Sequence, residues 1–219
     1  MSQPSAPPPA APAARVLVTR PQPEAQQWVE RLNAAGIEAQ ALPLIDICAA
    51  ADPQPVRQAW ARLGGYAAVM FVSAHAVTRF FEQKPSNPGV EWSLSAMDTR
   101  AWATGPGTAR ALLQAGLLPQ QIVMPPADAP QFDSEALWAL AGAQIRLGQR
   151  VLIVRGSDTS GQAAGRDWLG EQLAGAGVEV DRVLAYQRGV PAWSDAQVAL
   201  AREAAADGTA ARWVVDDGG

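Results

Sequence analysis

The sequence predicts an α/β protein built from two copies of one strand–helix–strand unit. Two observations lead to this prediction. A stretch that begins at Arg15 recurs with changes from Arg150, and the strands within it are short, continuously apolar runs. Such strands are typical of a parallel sheet covered on both faces. Parallel neighbours need a crossover connection, which the helix of each copy supplies.

The two copies correspond over most of their length. Residues 15–45 read RVLVTRPQPEAQQWVERLNAAGIEAQALPLI, and residues 150–186 read RVLIVRGSDTSGQAAGRDWLGEQLAGAGVEVDRVLAY. Each opens on an arginine, a short apolar strand and a second arginine, and each continues through a loop into an amphipathic helix. Gly36 and Gly177 follow the two helices, where a C-terminal cap requires positive φ. The loop of the second copy is longer, as loops allow.

The chain between and after these units predicts further elements. Residues 66–73 form a buried strand that leads into a helix at 76–82. Residues 100–104 form the next strand, and the turn GPGT leads from it into a helix at 109–115. Another helix covers 134–141, with Asp133 and Ser134 as capping residues. The second copy reaches a strand at 213–215 and then reads Asp-Asp-Gly-Gly, so roughly 45 residues of an equal copy would be missing.

Composition and charge exclude several functional classes. Cys48 and His75 are the only cysteine and histidine, so we expect no intramolecular disulfide, no cysteine-based metal cluster and no multi-histidine zinc site. Cys48 itself is expected to be a buried, small apolar side chain. The net charge of −4 and the lack of a basic run argue against nucleic acid and membrane as partners. Residues 1–14 predict a disordered tail without the pattern of a secretory signal, which favours a cytoplasmic location.

Eight short segments mark the chain from Arg15 to about Trp213. They are VLVTRP at 16–21, LPLIDI at 42–47, FVSAHAV at 71–77, GPGTARAL at 105–112, DSEAL at 133–137, VLIVRG at 151–156, GRDWL at 165–169 and VLAYQR at 183–188. In this order and spacing they resemble the uroporphyrinogen-III synthase family. No single segment is specific, so the resemblance depends on the whole series.

The resemblance implies two flavodoxin-like parallel-sheet domains joined by a two-stranded linker. Domain 1 is discontinuous and would comprise residues 15–47 and 189–219, and domain 2, residues 50–185, is inserted into it. The family continues after the 213–215 strand with a Thr/Ser-rich turn that contributes to substrate binding. Two aspartates follow that strand here, so domain 1 is expected to be C-terminally incomplete.

The resemblance also implies a reaction. The family cyclises hydroxymethylbilane, a linear tetrapyrrole with eight carboxylates, to uroporphyrinogen III, with inversion of ring D and loss of water. The substrate ionises readily, so the protein mainly positions it and stabilises charge. The resemblance implies neither a metal nor an organic cofactor. We expect a monomer, with at most a transient contact with the preceding enzyme of the pathway.

Tyr186 is the candidate catalytic residue. It ends a strand at one of the two crossings between the expected domains and matches the tyrosine of the family. A phenol can donate a proton or a hydrogen bond to a departing hydroxyl group. The alternative interpretation is a tyrosine that packs at a strand end with its hydroxyl in water.

The candidate substrate-binding residues lie near strand ends, where open parallel sheets bind ligands. They are Arg20, Ser73, Gly105, Thr108, Arg155, Gly156 and Arg166. The arginines are candidate partners for substrate carboxylates, the GPGT turn offers backbone amides at a helix start, and Gly156 would allow a ligand to approach the backbone. The alternative roles are helix capping for the hydroxyls and a solvated surface position for each arginine.

Two other functions remain open from the sequence. A degenerate synthase-like protein would bind a tetrapyrrole or another polyanion without turnover, which the acidic C-terminal residues favour. An unrelated flavodoxin-like or receiver-like domain is the third hypothesis. The duplication argues against it, because such domains need only one copy. A receiver also needs clustered acids at strand ends, whereas Arg20 follows the first strand.

Overall fold

The structure is a computed structural model that describes residues 15–86, 98–163, 165–206 and, for the backbone, 211–214. Contacts divide the chain into two compact units. Among the described residues, unit 1 contains 15–46 and those between 190 and 214, and unit 2 contains Ile47–Gly189. The predicted tail at 1–14 and the acidic residues at 216 and 217 lie outside the described residues.

The elements alternate between strands and helices along most of the chain. In order they are β1 (Arg15–Val18), α1 (Glu24–Ala34), β2 (Ala39–Ala41), β3 (Asp46–Ala49), α2 (Gln54–Ala61), β4 (Ala68–Phe71), α3 (Ala74–Phe81), β5 (Arg100–Ala103), α4 (Pro106–Gln114), β6 (Ile122–Val123), α5 (Ser134–Ala141), β7 (Arg150–Ser157), α6 (Trp168–Gly175), β8 (Glu179–Gly189), α7 (Asp195–Ala206) and β9 (Ala211–Val214).

Unit 1 is built on a three-stranded parallel sheet in the order β2-β1-β9. In its central strand, Val16 lies opposite Ala39 of β2 and Arg212 of β9. Helix α1 covers the sheet with Ala25 and Val29, which pack against Val18. The first sequence copy therefore forms a β1–α1–β2 crossover between parallel neighbours, as predicted.

Unit 2 contains a six-stranded sheet in the order β3-β8-β7-β4-β5-β6, in which the neighbours from β8 to β6 are parallel. One face packs against α2, α3 and α4, with Trp60, Phe80 and Leu112 fully buried. The other face packs against α5 and α6 through Leu137 and Leu173. Helices on both faces explain why its central strands are apolar without alternation.

The predicted α/β class with a mostly parallel sheet is confirmed. Gly36, Gly116 and Gly177 have φ of +79°, +95° and +74°, as expected of residues that follow a helix C-terminus. Helices α3 and α4 begin earlier than predicted. Ser73 caps α3 directly, and Pro106 suits the first turn of α4, where its missing N–H would have no helical partner.

The prediction that Cys48 is buried is wrong. Its side chain is exposed because it lies on β3, an edge strand of the six-stranded sheet, where only Ile47 of the four residues is buried. Successive strand residues point to opposite faces, so Cys48 lies on the face opposite to the buried Ile47.

Candidate functional site

The candidate residues of unit 2 meet at one edge of its sheet. Strands β4, β5, β7 and β8 run parallel, so their carboxyl ends lie at the same edge. Ser73 follows β4, Gly105 follows β5, Gly156 is the second-last residue of β7, and Tyr186 lies near the end of β8. This edge is where open α/β sheets bind ligands.

Ser73 and Tyr186 are in direct contact. The Oγ of Ser73 and the hydroxyl oxygen of Tyr186 lie 3.2 Å apart and share a hydrogen bond. Ser73 Oγ also accepts the backbone N–H of Ala76 at 3.2 Å, which is the N-cap contact of α3. The helix therefore fixes the serine hydroxyl, and the serine hydroxyl in turn fixes the phenol.

Gly156 lies beneath the ring of Tyr186. The two residues are partners across β7 and β8, and a Cβ added at Gly156 would be 2.3 Å from Cζ of the tyrosine. The ring thus occupies the space that a side chain at position 156 would need. Tyr186 is only 3% exposed, so its position is set by packing.

The start of α4 presents backbone amides at the same edge. Gly105 is the N-cap and makes no side-chain capping hydrogen bond, which leaves first-turn N–H groups available to an anion. A Cβ at Gly105 would meet Cβ of Phe132 at 3.3 Å, so glycine also serves close packing here. Thr108 is buried in the first turn of α4, so its side chain lies in the interior.

Arg155 is a buried arginine with acceptors inside unit 2. Its Nη2 donates to the backbone oxygen of Gly165 at 3.0 Å, and its Nη1 donates to Oδ1 of Asp167 at 3.4 Å. The residue is 4% exposed. Asp167 also accepts from Arg182, at 2.7 Å from Nη2. Arg155 therefore ties the strand end to the loop before α6, and its predicted contact with substrate stays a prediction.

The other two candidate arginines differ from Arg155. The side chain of Arg166 is 76% exposed and pairs with Glu135 at 3.2 Å, so it remains accessible to a ligand. Arg20 follows β1 in unit 1 and is half-buried. The equivalent positions of Arg20 and Arg155 in the two sequence copies thus belong to different units.

Sequence reasoning missed two residues at this edge. Asp167 pairs with Arg155 and Arg182, and the sequence carried no signal for this because it did not predict the burial of Arg155, the feature that calls for a counter-charge. The half-buried ring of His75 has its centroid 6.0 Å from that of Tyr186, although no role in the site is predicted for His75 from the sequence. Its place two residues after Ser73 could have suggested this proximity.

Within the described residues, no group of three or more histidine, cysteine, aspartate or glutamate side chains could hold a metal ion. No helix in the same part of the chain is long and apolar enough to cross a membrane.

Comparison with known proteins identifies the family. The family model for uroporphyrinogen-III synthase HemD matches residues 26–215. The uroporphyrinogen-III synthase of Salmonella typhimurium is 32% identical over 185 residues, which cover 84% of this chain and 69% of that protein. The synthase of Escherichia coli is 31% identical over 173 residues, which cover 79% of this chain and 64% of that protein.

Solved structures show the same fold. A mutant uroporphyrinogen III synthase from Thermus thermophilus aligns with a TM-score of 0.58 at 17% identity, covering 93% of this chain and 73% of that one. The wild-type enzyme aligns with a TM-score of 0.51, also at 17% identity, covering 93% and 72%. The chain thus spans about two thirds of the curated relatives and nearly three quarters of these structures. On the match of the family model and the identity to both curated relatives, this chain belongs to the uroporphyrinogen-III synthase family.

Proposed function

We propose that this protein is a lyase that cyclises hydroxymethylbilane to uroporphyrinogen III, with inversion of ring D and loss of water. Membership of the family supports this directly. The relatives are named as synthases, which does not favour a non-catalytic tetrapyrrole-binding module, and the family match excludes an unrelated flavodoxin-like or receiver-like domain.

The observation that carries the mechanism is the hydrogen bond between Ser73 and Tyr186. Ser73 Oγ already accepts from Ala76. If it donates its own proton to the phenol oxygen, the phenol proton remains available for a ligand at this edge. A phenol placed in this way can donate to the departing hydroxyl of the substrate as the carbon–oxygen bond breaks.

Binding of the substrate carboxylates falls to the remaining candidates. The uncapped first turn of α4 at Gly105 supplies amide donors, aided by the partial positive charge of a helix start. Arg166 has an accessible guanidinium for bidentate contact with a carboxylate. Arg20, Thr108 and Arg155 are retained as proposed substrate-binding residues from the sequence.

The domain organisation is proposed with the same boundaries as in the sequence analysis. Domain 1 comprises 15–47 and 189–219, and domain 2 comprises 50–185. The division of contacts at Asp46 and Gly189 supports this assignment, as does the adjacency of β3 and β8 in one sheet for a two-stranded linker. We further propose that the protein acts as a cytoplasmic monomer without a cofactor.

Product analysis tests the proposed function. The purified chain is incubated with freshly prepared hydroxymethylbilane, the products are oxidised, and the uroporphyrin isomers are separated. The proposal expects isomer III at a rate proportional to protein concentration. Isomer I at the spontaneous rate, with no isomer III, would contradict it.

Tyr186→Phe tests the role of the phenol. The ring and its packing remain, and only the hydroxyl is lost, so we expect kcat to fall about 100-fold, the lower end for general acid catalysis. Stability should fall by only about 1 kcal/mol, the value of one neutral hydrogen bond. Equal kcat in the variant and the wild type would refute the role of the phenol.

A further inference from the structure

A break in the strand pairing places Tyr186 over Gly156. Along β7 and β8, Arg155 lies opposite Leu184, but the next residue, Gly156, lies opposite Tyr186. Ala185 is therefore an extra residue on β8. Bulges of this kind re-aim side chains and occur often beside active sites.

The consequence is visible in the core. Successive strand residues normally point to opposite faces, so Tyr186 would be expected to face away from Ala185. Instead Val183, Ala185 and Tyr186 all pack in the same core cluster, together with Val154. The bulge turns the tyrosine ring onto the face that also carries Ser73, its hydrogen-bond partner.

Glycine at 156 is explained by space and not by backbone conformation. The φ of Gly156 is not positive, so a residue with a side chain could adopt its backbone conformation. A Cβ there would, however, lie 2.3 Å from both Cε2 and Cζ of Tyr186 and 2.9 Å from Cδ2. Neither the strand backbone nor the Tyr186 ring, which is only 3% exposed, can move easily to relieve that overlap.

We propose that Gly156 is a positioning residue for Tyr186. Its missing side chain leaves space for the ring beside β7, and this places the phenol oxygen 3.2 Å from Ser73 Oγ. This role differs from the ligand approach that the sequence suggested for Gly156, because the tyrosine and not a ligand fills the space. The inference rests on the proposed function, in which the phenol acts on the substrate.

Gly156→Ala is the test, with Gly175→Ala as the matched control. Gly175 lies in α6, and a Cβ there meets nothing within 4 Å. Gly156→Ala should lower kcat by about as much as Tyr186→Phe, about 100-fold, with KM changed much less. Gly175→Ala should leave both parameters unchanged. Wild-type kcat in Gly156→Ala would overturn the proposal.

A double variant separates positioning from general damage to the fold. If Gly156 acts through the phenol, Gly156→Ala adds little to Tyr186→Phe, and the double variant keeps the kcat of Tyr186→Phe within about twofold. Independent effects would instead multiply to about 10⁴-fold. That multiplication would overturn the proposal.

A second comparison applies if Gly156→Ala does not fold. Tyr186→Ala removes the ring, so the pair Gly156→Ala/Tyr186→Ala should be as stable to urea as Tyr186→Ala alone. A pair that remains unfolded while Tyr186→Ala folds would refute the contact. This stability comparison does not depend on enzymatic turnover. It is therefore independent of the product assay. In that assay, the absence of isomer III from the wild type would count against the proposed function itself.

Discussion

Asp167→Asn is expected to destabilise unit 2, because it removes the carboxylate that faces the buried Arg155. Asp167 accepts from the buried Arg155 at 3.4 Å and from Arg182 at 2.7 Å. The substitution preserves the shape of the side chain and removes its charge. Arg155, which also donates to the oxygen of Gly165, would then face a neutral amide in place of the carboxylate.

The size of the effect follows from the exposure of each partner. Removing one partner of a fully buried ion pair costs about 3–5 kcal/mol, because the other charge stays buried without compensation. The Arg155 side chain is 5% exposed, but that of Asp167 is 31% exposed, so water partly replaces the lost carboxylate. The pair with Arg182 is more exposed and adds less than about 1 kcal/mol. We therefore expect a loss of about 2–3 kcal/mol.

Urea unfolding measures this loss, with Glu82→Gln as the matched control. Glu82 pairs with Arg79 at 3.0 Å at the surface, where the side chains are 45% and 30% exposed, and its loss should cost less than about 1 kcal/mol. Arg155→Met added to Asp167→Asn should recover part of the stability, because it removes the buried positive charge that has lost this carboxylate. Asp167→Asn no less stable than Glu82→Gln would refute this reasoning.

The remaining predictions concern one titrating group and one accessible arginine. Burial, and then the 2.6 Å hydrogen bond to Asp181, raise the pKa of Tyr66 to about 12. The unfolded tyrosine titrates near 10, so between these values the unfolded chain loses a proton that the folded one keeps, and stability falls as pH rises. Tyr66→Phe should flatten this fall in urea midpoints measured from pH 10 to 12, and parallel pH profiles would contradict the assignment. Arg166→Gln should raise KM for hydroxymethylbilane several-fold and change the free energy of unfolding by less than about 0.5 kcal/mol. Arg146→Gln, the control at another exposed arginine, should leave KM unchanged. Equal KM in both variants would contradict a role of Arg166 in substrate binding.

Much of the fold could be predicted from two features of the sequence, the repeat and the apolar strands. Both copies became parallel strand pairs with a crossover helix, because local patterning and handedness leave few other arrangements. The glycines at helix ends were predictable for a similar reason, since positive φ is a local requirement.

The site was less predictable because its contacts depend on register. The meeting of Ser73 and Tyr186 spans 113 positions, and nothing in either segment encodes the extra residue at Ala185. Asp167 could not be assigned to Arg155 without the loop geometry. The burial of Arg155 was likewise missed, because an arginine after a strand is usually solvated.

The formation of uroporphyrinogen III from hydroxymethylbilane tests the central claim most directly. The purified wild-type chain and Tyr186→Phe are compared at equal concentration, with a protein-free sample to measure spontaneous ring closure. The account predicts isomer III from the wild type and about 100-fold less of it per unit time from the variant. Isomer III at the same rate from both proteins, or isomer I alone from the wild type, would contradict it.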